Sequence, residues 1–272
     1  MSGTSSSFTV TILDNDFVVT NTNDSGPGSL RQAILNANTI AGANTITFAG
    51  VFTDATPDII TLTSGELTIT DSLTIQGTGA NLLTISGNNN SRIFNFDGAG
   101  ANTFNLSGLT ITGGNADFGG GIRGQISEEG DTLNIDEVVV TGNTATNSGG
   151  GISIVGLPPV TSFFNISNST ISNNDGGLVG GIFLNNVQNT DLKNVTISGN
   201  TGTVVGGIAN LASVSTNAIN DLTLTNVTIA NNIGTGLLNI TQDDALRATT
   251  KYSNSIFTNN GTNNFFKNIA YK

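Results

Sequence analysis

The 272-residue chain has no cysteine, no histidine and no tryptophan, and it carries only eight basic residues. Without cysteine there is neither a disulfide framework nor a thiolate metal site. Without histidine the usual general base and the commonest zinc ligand are both missing. Eight Lys and Arg against nineteen Asp and Glu give a net charge of −11. A fold-wide basic patch is therefore excluded, and no nucleic-acid partner is expected. No apolar run approaches the ~20 residues of a membrane span, so no transmembrane segment is expected either. The opening Met-Ser-Gly-Thr-Ser-Ser-Ser lacks the basic and apolar regions of a signal peptide and reads as a start made inside a larger protein.

What the chain does contain is repetition. Six segments align on one central apolar residue: Ile111, Val140, Ile171, Ile197, Ile229 and Phe257. The steps between them are 29, 31, 26, 32 and 28 residues, a period near 29 with a variable part. Two residues before each centre stand Leu109, Val138, Ser169, Val195, Val227 and Ser255; five before it stand Leu106, Ile135, Ile166, Leu192, Leu224 and Tyr252. Seven before it, four repeats carry Phe104, Leu133, Phe164 and Leu222. Spacing by two marks strands with one buried face, and the change of phase between −5 and −2 calls for a bend. Ile122, Ile152, Ile182 and Ile208, each after Gly-Gly, supply a third short strand.

Three short strands per turn, with neither helical period nor hairpin signal, predict an all-β fold, a parallel β-solenoid whose coils bury their apolar edges on one another. A propeller needs a longer period, and a leucine-rich repeat needs helical segments. Segments 44–50, 58–65, 66–79 and 82–88 read as early coils with shorter corners, for nine or ten coils in all.

An open solenoid leaves its end exposed, and residues 29–39 are suited to cover it. Ser29 with Gln32 makes a capping box, and Leu30, Ala33, Ile34 and Ala37 make one apolar stripe. The same stripe could instead bind a partner.

DSGPGSLRQAILNAN (24–38), followed by ITFAG, LTITDSLTIQGTGANLLTISGN and LTITGGN, resembles the opening of right-handed parallel β-helix modules in large secreted bacterial proteins, notably cyanobacterial exoproteins. The later GGI repeats with their Asn resemble those of polymorphic outer-membrane proteins and related adhesins. The resemblance spans residues 17–272 and implies right-handed winding and a secreted or cell-surface location. FTVTILDND (8–16) resembles the last strand of a Calx-beta domain, which makes residues 1–16 the tail of a preceding domain or a linker. In that family Asp residues at this end contribute to calcium binding. Asp14 and Asp16 would lack their other ligands here, so no cofactor is expected, calcium being the one ion left open.

Several columns carry side chains that could do chemistry. Asn143, Asn174, Asn200, Asn232 and Asn260 each stand three residues after a centre. Asn tolerates a left-handed backbone, and its amide can bond the next coil's, so a structural ladder is expected. The Gly-Gly pairs have no following Lys or helix, which rules out a phosphate loop and leaves corners. Thr110, Thr170, Thr196 and Thr228 on one side of the centres, and Thr112, Thr141, Ser172, Ser198 and Thr258 on the other, form two outward rows. Such rows suit ice binding as well as ordinary strands, although Val139, Ala230 and Ile256 interrupt them.

For catalysis, QNTD (188–191) echoes one polygalacturonase motif, but that family's partner motifs are absent. Asp243 and Asp244 lie far along the chain. Glu128, Glu129 and Asp131 share one loop and read as solvated charge, although two acids suffice for a glycosidase. Arg31, Arg92, Arg123, Lys193 and Arg247 occupy different repeat positions and do not stack into one cleft. The stretches after each Gly-Gly-Ile, 123–132, 153–162, 183–190, 209–220 and 238–248, vary and read as loops crowding one flank. Glu128, Glu129, Asp131, Gln188, Asn189, Asp191, Asp243 and Asp244 are the binding candidates they supply. The functional expectation is a non-catalytic, monomeric module within a larger chain, a rigid scaffold contacting cell-surface glycans or surface proteins. The alternatives are a polysaccharide lyase or glycoside hydrolase, and ice binding through the Thr rows.

Overall fold

A computed structural model describes residues 16–213, 219–242 and 246–270. Their strands form three parallel sheets that wind into a β-solenoid of about eight turns. The first sheet has nine strands, from Asp16–Val19 to Arg247–Ser253, and the second has eight, from Asp58–Thr61 to Ile256–Thr258. One coil shows the path. Phe163–Ser167 lies in the first sheet, Thr170–Ser172 in the second, and Asp175–Gly176 and Ile182–Asn185 in the third; Asn189–Lys193 then begins the next coil.

The aligned centres stack as expected. Val140 is in register with Ile111 and Ile171, Ile197 with Ile171 and Ile229, and Phe257 with Ile229. The column runs back through Ile85 to Ile60, which extends the repeat into the irregular first third. Phe104, Leu133, Phe164 and Leu222 form a second buried column, joined by Leu106, Ile135, Ile166, Leu192 and Leu224. All of these are at most 1% exposed, so the core is one continuous strip along the axis.

Three expectations change. The turn count is lower than nine or ten because the early apolar segments are different faces of the same coils. Asn44–Phe48, Asp58–Thr61 and Leu67–Ile69 lie in the first, second and third sheets in turn. Each later coil also has a fourth short segment, such as Thr144–Ser148, between its Asn and its Gly-Gly. That segment is mostly exposed and gives no apolar alternation to read. Finally, the bend between −5 and −2 is made by a left-handed residue at −3. Gly108, Glu137, Asn168, Asn194, Asn226 and Asn254 all have φ between +48° and +65°. A second left-handed row, including Gly142, Asn173, Gly199 and Asn231, stands two residues after the centre. The buried Asn column is therefore the neighbour of the left-handed residue, not the residue itself.

The helix Leu30–Ala37 forms where its cap and stripe place it. Ser29 Oγ accepts from the Gln32 N–H at 3.2 Å, and Leu30, Ala33, Ile34 and Ala37 are the buried residues. The Gln32 side chain donates to Asn36 instead of closing the box. The helix packs on Asp16–Val19, Asn44–Phe48 and Leu67–Ile69, the N-terminal strands of the first and third sheets. Arg31 ties it down, donating to the Glu66 and Gly65 carbonyls and pairing with Asp24 at 2.8 Å. Burial works against the Asp24 carboxylate. Hydrogen bonds from Ser64, Arg31 and Thr63, with the Arg31 charge, outweigh it and hold the pKa below its ordinary value. Among the described residues, no helix is long and apolar enough to cross a membrane.

One core position breaks the pattern. Thr190 stands in register between Phe164 and Leu222, and its hydroxyl is buried with no partner. Replacing it by valine keeps the shape and removes the orphaned group. Thr190→Val should therefore raise the free energy of unfolding by about 1 kcal/mol. Urea denaturation checks this, and a loss of stability would show that the hydroxyl is satisfied.

Candidate functional site

Alternation along the first sheet sends every second side chain outward, and parallel register lines those side chains up from coil to coil. Asn165, Asp191, Thr223 and Lys251 form one outward row; Phe163, Asn189, Asp221 and Thr249 form the row beside it. Between the rows lies a shallow groove of about 310 Å³, lined by Phe163, Asn165, Asp191, Asp221, Thr223 and Lys251 among others. Asp191 and Asp221 sit on adjacent strands two positions apart, which puts their Cα atoms roughly 8 Å from each other at ordinary strand spacing.

The hydrogen bonds leave this groove rich in unspent acceptors. Upstream, the outward row is an amide ladder. Asn105 donates to Thr74 at 3.0 Å, Asn134 to Asn105 at 2.8 Å, and Asn165 to Asn134 at 2.8 Å. Every donation points toward the N-terminal end, so Asn165 ends the ladder with its Oδ1 unused by any donor among the described residues. The residue in register with it, Asp191, is another acceptor. Asp221 accepts the Thr249 hydroxyl with Oδ1. Among the described residues the ion pairs are Asp24–Arg31 and Glu66–Arg92, so neither groove carboxylate has a salt-bridge partner there. Phe163 adds a ring 38% exposed at one wall.

The sequence candidates separate clearly. Asp191 and Asn189 belong to the groove, on a strand and not a loop. Gln188 spends its amide on the Pro159 carbonyl at 3.0 Å, bracing one loop on the next. Glu128, Glu129 and Asp131 do share a loop, but solvated charge is the wrong description for Asp131. It is 1% exposed and accepts from the Asn102 and Glu128 N–H groups at 2.9 and 2.8 Å. Glu129 accepts from the Thr161 N–H at 2.7 Å. These carboxylates thus staple three successive coils. Asp14, Asp243 and Asp244 lie outside the described residues, and no cluster of three potential metal ligands occurs among those described.

The variable stretches do leave one corner, between the third and first sheets. Their first halves, however, are strands: Ile122–Ile126, Ile152–Gly156, Ile182–Asn185, and the ends of Thr201–Ala212 and Ile233–Thr241. In the last two, polar residues occupy inward positions. Asn210 and Asn239 are buried and paired at 3.1 Å. The groove residues that sequence reasoning missed are Phe163, Asn165, Asp221, Thr223 and Lys251. Counting back six and eight residues from the centres would have aligned them.

The Asn column is structural. Asn143, Asn174, Asn200 and Asn232 are at most 1% exposed, and each donates to the next coil's Oδ1 at 2.9–3.0 Å, ending on Asn260. Each also donates to the carbonyl of the preceding coil's centre, as Asn200 does to Ile171 at 3.0 Å. No protein-family model and no curated protein sequence matches the chain.

Proposed function

We propose that the chain is a non-catalytic β-helix module of a secreted or cell-surface bacterial protein, a rigid scaffold whose first sheet carries a glycan-binding groove. The convergence of an exposed Phe163 ring with the unspent acceptors of Asn165, Asp191 and Asp221 carries this reading. Sugars offer apolar ring faces to an aromatic side chain and hydroxyl donors to carboxylate and amide oxygens. The strong right-handed preference of parallel crossovers supports right-handed winding. The apolar stripe of Leu30–Ala37, buried on the first coil, supports its role as the cap. The acidic, cysteine-free composition and the resemblance to exoprotein modules support location at the surface, with glycans or surface proteins as partners.

Screening the protein on a glycan array, then titrating the best glycan calorimetrically, tests the groove. Phe163→Ala should weaken binding about tenfold, and Asp191→Asn should weaken it as well. A protein that binds no arrayed glycan, or one whose affinity ignores both substitutions, would overturn the assignment.

One observation favours a second reading, a polysaccharide-cleaving enzyme. Two carboxylates and a lysine meet in the same groove. Asp191 is exposed, however, whereas a carboxyl that donates a proton at neutral pH needs a desolvated site. Release of new reducing ends from a polysaccharide, lost in Asp191→Asn, would replace the binding reading with this one.

A further inference from the structure

The outer face of the second sheet is built differently from the other two. Its eight strands pair without a slip from Asp58–Thr61 to Ile256–Thr258, whereas the third sheet shifts register in several pairings. Two outward rows flank the buried centres. In the row after the centre, running from Thr61 to Thr258, seven of eight positions carry a hydroxyl, with Ala230 the exception. In the row before it five of eight are threonine, and the others are Ile59, Val139 and Ile256. Neither row contains a charge. The first sheet's outer face, by contrast, holds Asp136, Asp191, Asp221, Lys193 and Lys251.

The result is a strip of hydroxyls and methyls about 4.8 Å apart along the axis and about 6.6 Å apart across it, roughly 34 Å long. It is held stiffly from beneath. Ile85, Ile111, Val140, Ile171, Ile197 and Ile229 are at most 1% exposed, and the Asn143–Asn260 ladder runs along one edge. β-Branched side chains have few rotamers to lose, so the array is set before anything binds.

We propose that this face binds ice. Thr110 donates to the Ala80 carbonyl and Ser172 to Thr141, but each hydroxyl keeps an acceptor site and the others also keep their proton, so a regular array holds waters at regular spacing. Waters in liquid must be immobilised at a cost for each one, but waters at an ice surface are already fixed. Charged groups would keep hydration shells that do not fit a lattice, and their absence from both rows removes that obstacle. The aliphatic interruptions at Ile59, Val139 and Ile256 keep the methyl part of threonine and lose only its hydroxyl. A single soluble ligand gains nothing from repetition over eight coils. A periodic solid engages all of them at once.

The test compares the intact chain with Thr196→Lys, at an exposed position in mid-strip, and with Lys193→Gln, exposed on the first sheet and outside its groove, as control. Labelled protein is frozen into a slowly growing ice hemisphere, and recrystallisation of fine-grained ice is followed in parallel. The intact chain and Lys193→Gln should enter ice about tenfold more than serum albumin and slow recrystallisation equally, while Thr196→Lys should lose about tenfold in both. Matching thermal unfolding of the three proteins confirms that the loss is not misfolding. Exclusion of the intact chain from ice overturns the proposal, as does full activity of Thr196→Lys. Adsorption to crystalline chitin with exclusion from ice also overturns it, assigning the strip to a solid polysaccharide. Glycan titration at the first-sheet groove is read separately, so each assignment stands or falls alone.

Discussion

Asn200→Ala, in the middle of the buried amide ladder, is expected to destabilise the solenoid by about 3–5 kcal/mol. Asn200 Oδ1 accepts from the Asn174 backbone N–H at 3.0 Å and from Asn174 Nδ2 at 2.9 Å. Its own Nδ2 donates to the Ile171 carbonyl and to Asn232 Oδ1, both at 3.0 Å. Alanine removes all four bonds and leaves two buried donors on Asn174 with no acceptor. Water cannot replace them, since Asn174 and Asn200 are at most 1% exposed. Each orphaned group costs about 1–3 kcal/mol, and in a solenoid the damage falls on the interfaces to both neighbouring coils.

A second asparagine ladder supplies the control. Asn194 donates to Asn168 Oδ1 at 3.0 Å and accepts from Asn226 Nδ2 at 3.1 Å, but these corner residues are exposed. Water can satisfy whatever is left behind. Asn194 has φ +57°, which glycine adopts freely, so Asn194→Gly should cost no more than about 0.5 kcal/mol. Urea unfolding of the two variants separates the roles of the columns. An Asn200→Ala loss below about 1 kcal/mol would mean that the ladder relaxes or hydrates, against its burial.

The contrast between these columns shows what the sequence could reveal. The centres, the −5 and −7 columns and the Asn143–Asn260 ladder were legible because each position keeps one chemical type on most coils. The left-handed corner at −3 was not, because Gly108, Glu137 and Asn168 share a backbone conformation and no side-chain chemistry. The extension of Ile182–Asn185 and of Thr201–Ala212 past the expected Ile182 and Ile208 was hidden for a related reason. Leu184 and Asn210 are in register and both buried, one apolar and one an amide paired to another amide.

The candidate site was the least legible part. Asn189 and Asp191 stood out through QNTD, a motif whose partner motifs the chain lacks. Their partners come from coils about thirty residues away on either side. Phe163, Asn189 and Asp221 share only a register, which no local pattern encodes. A surface position is under no packing demand to look like its counterpart in the next coil, so the centres align the groove's positions while the side chains there follow no repeated type.

The glycine pairs, conserved in type from coil to coil within this chain, carry the second large expected effect. A Cβ on Gly207 would lie 2.0 Å from the Gly236 carbonyl oxygen and 2.9 Å from Ile229 Cγ2. The first obstacle is backbone of the next coil and cannot swing away as a side chain could. Gly207 does not have a left-handed φ, so the demand is purely one of space. Gly207→Ala must therefore push two coils apart against parallel pairings that run the length of the sheet, at an expected cost of about 3–4 kcal/mol. Gly65→Ala isolates the other role of glycine. Nothing lies within 4 Å of a Cβ there, but φ is +91°, so about 1 kcal/mol of backbone strain is expected and no displacement of coils. Thermal or urea unfolding ranks the pair. If Gly207→Ala costs no more than Gly65→Ala, the coils can separate locally, and close approach is not what selects glycine at these corners.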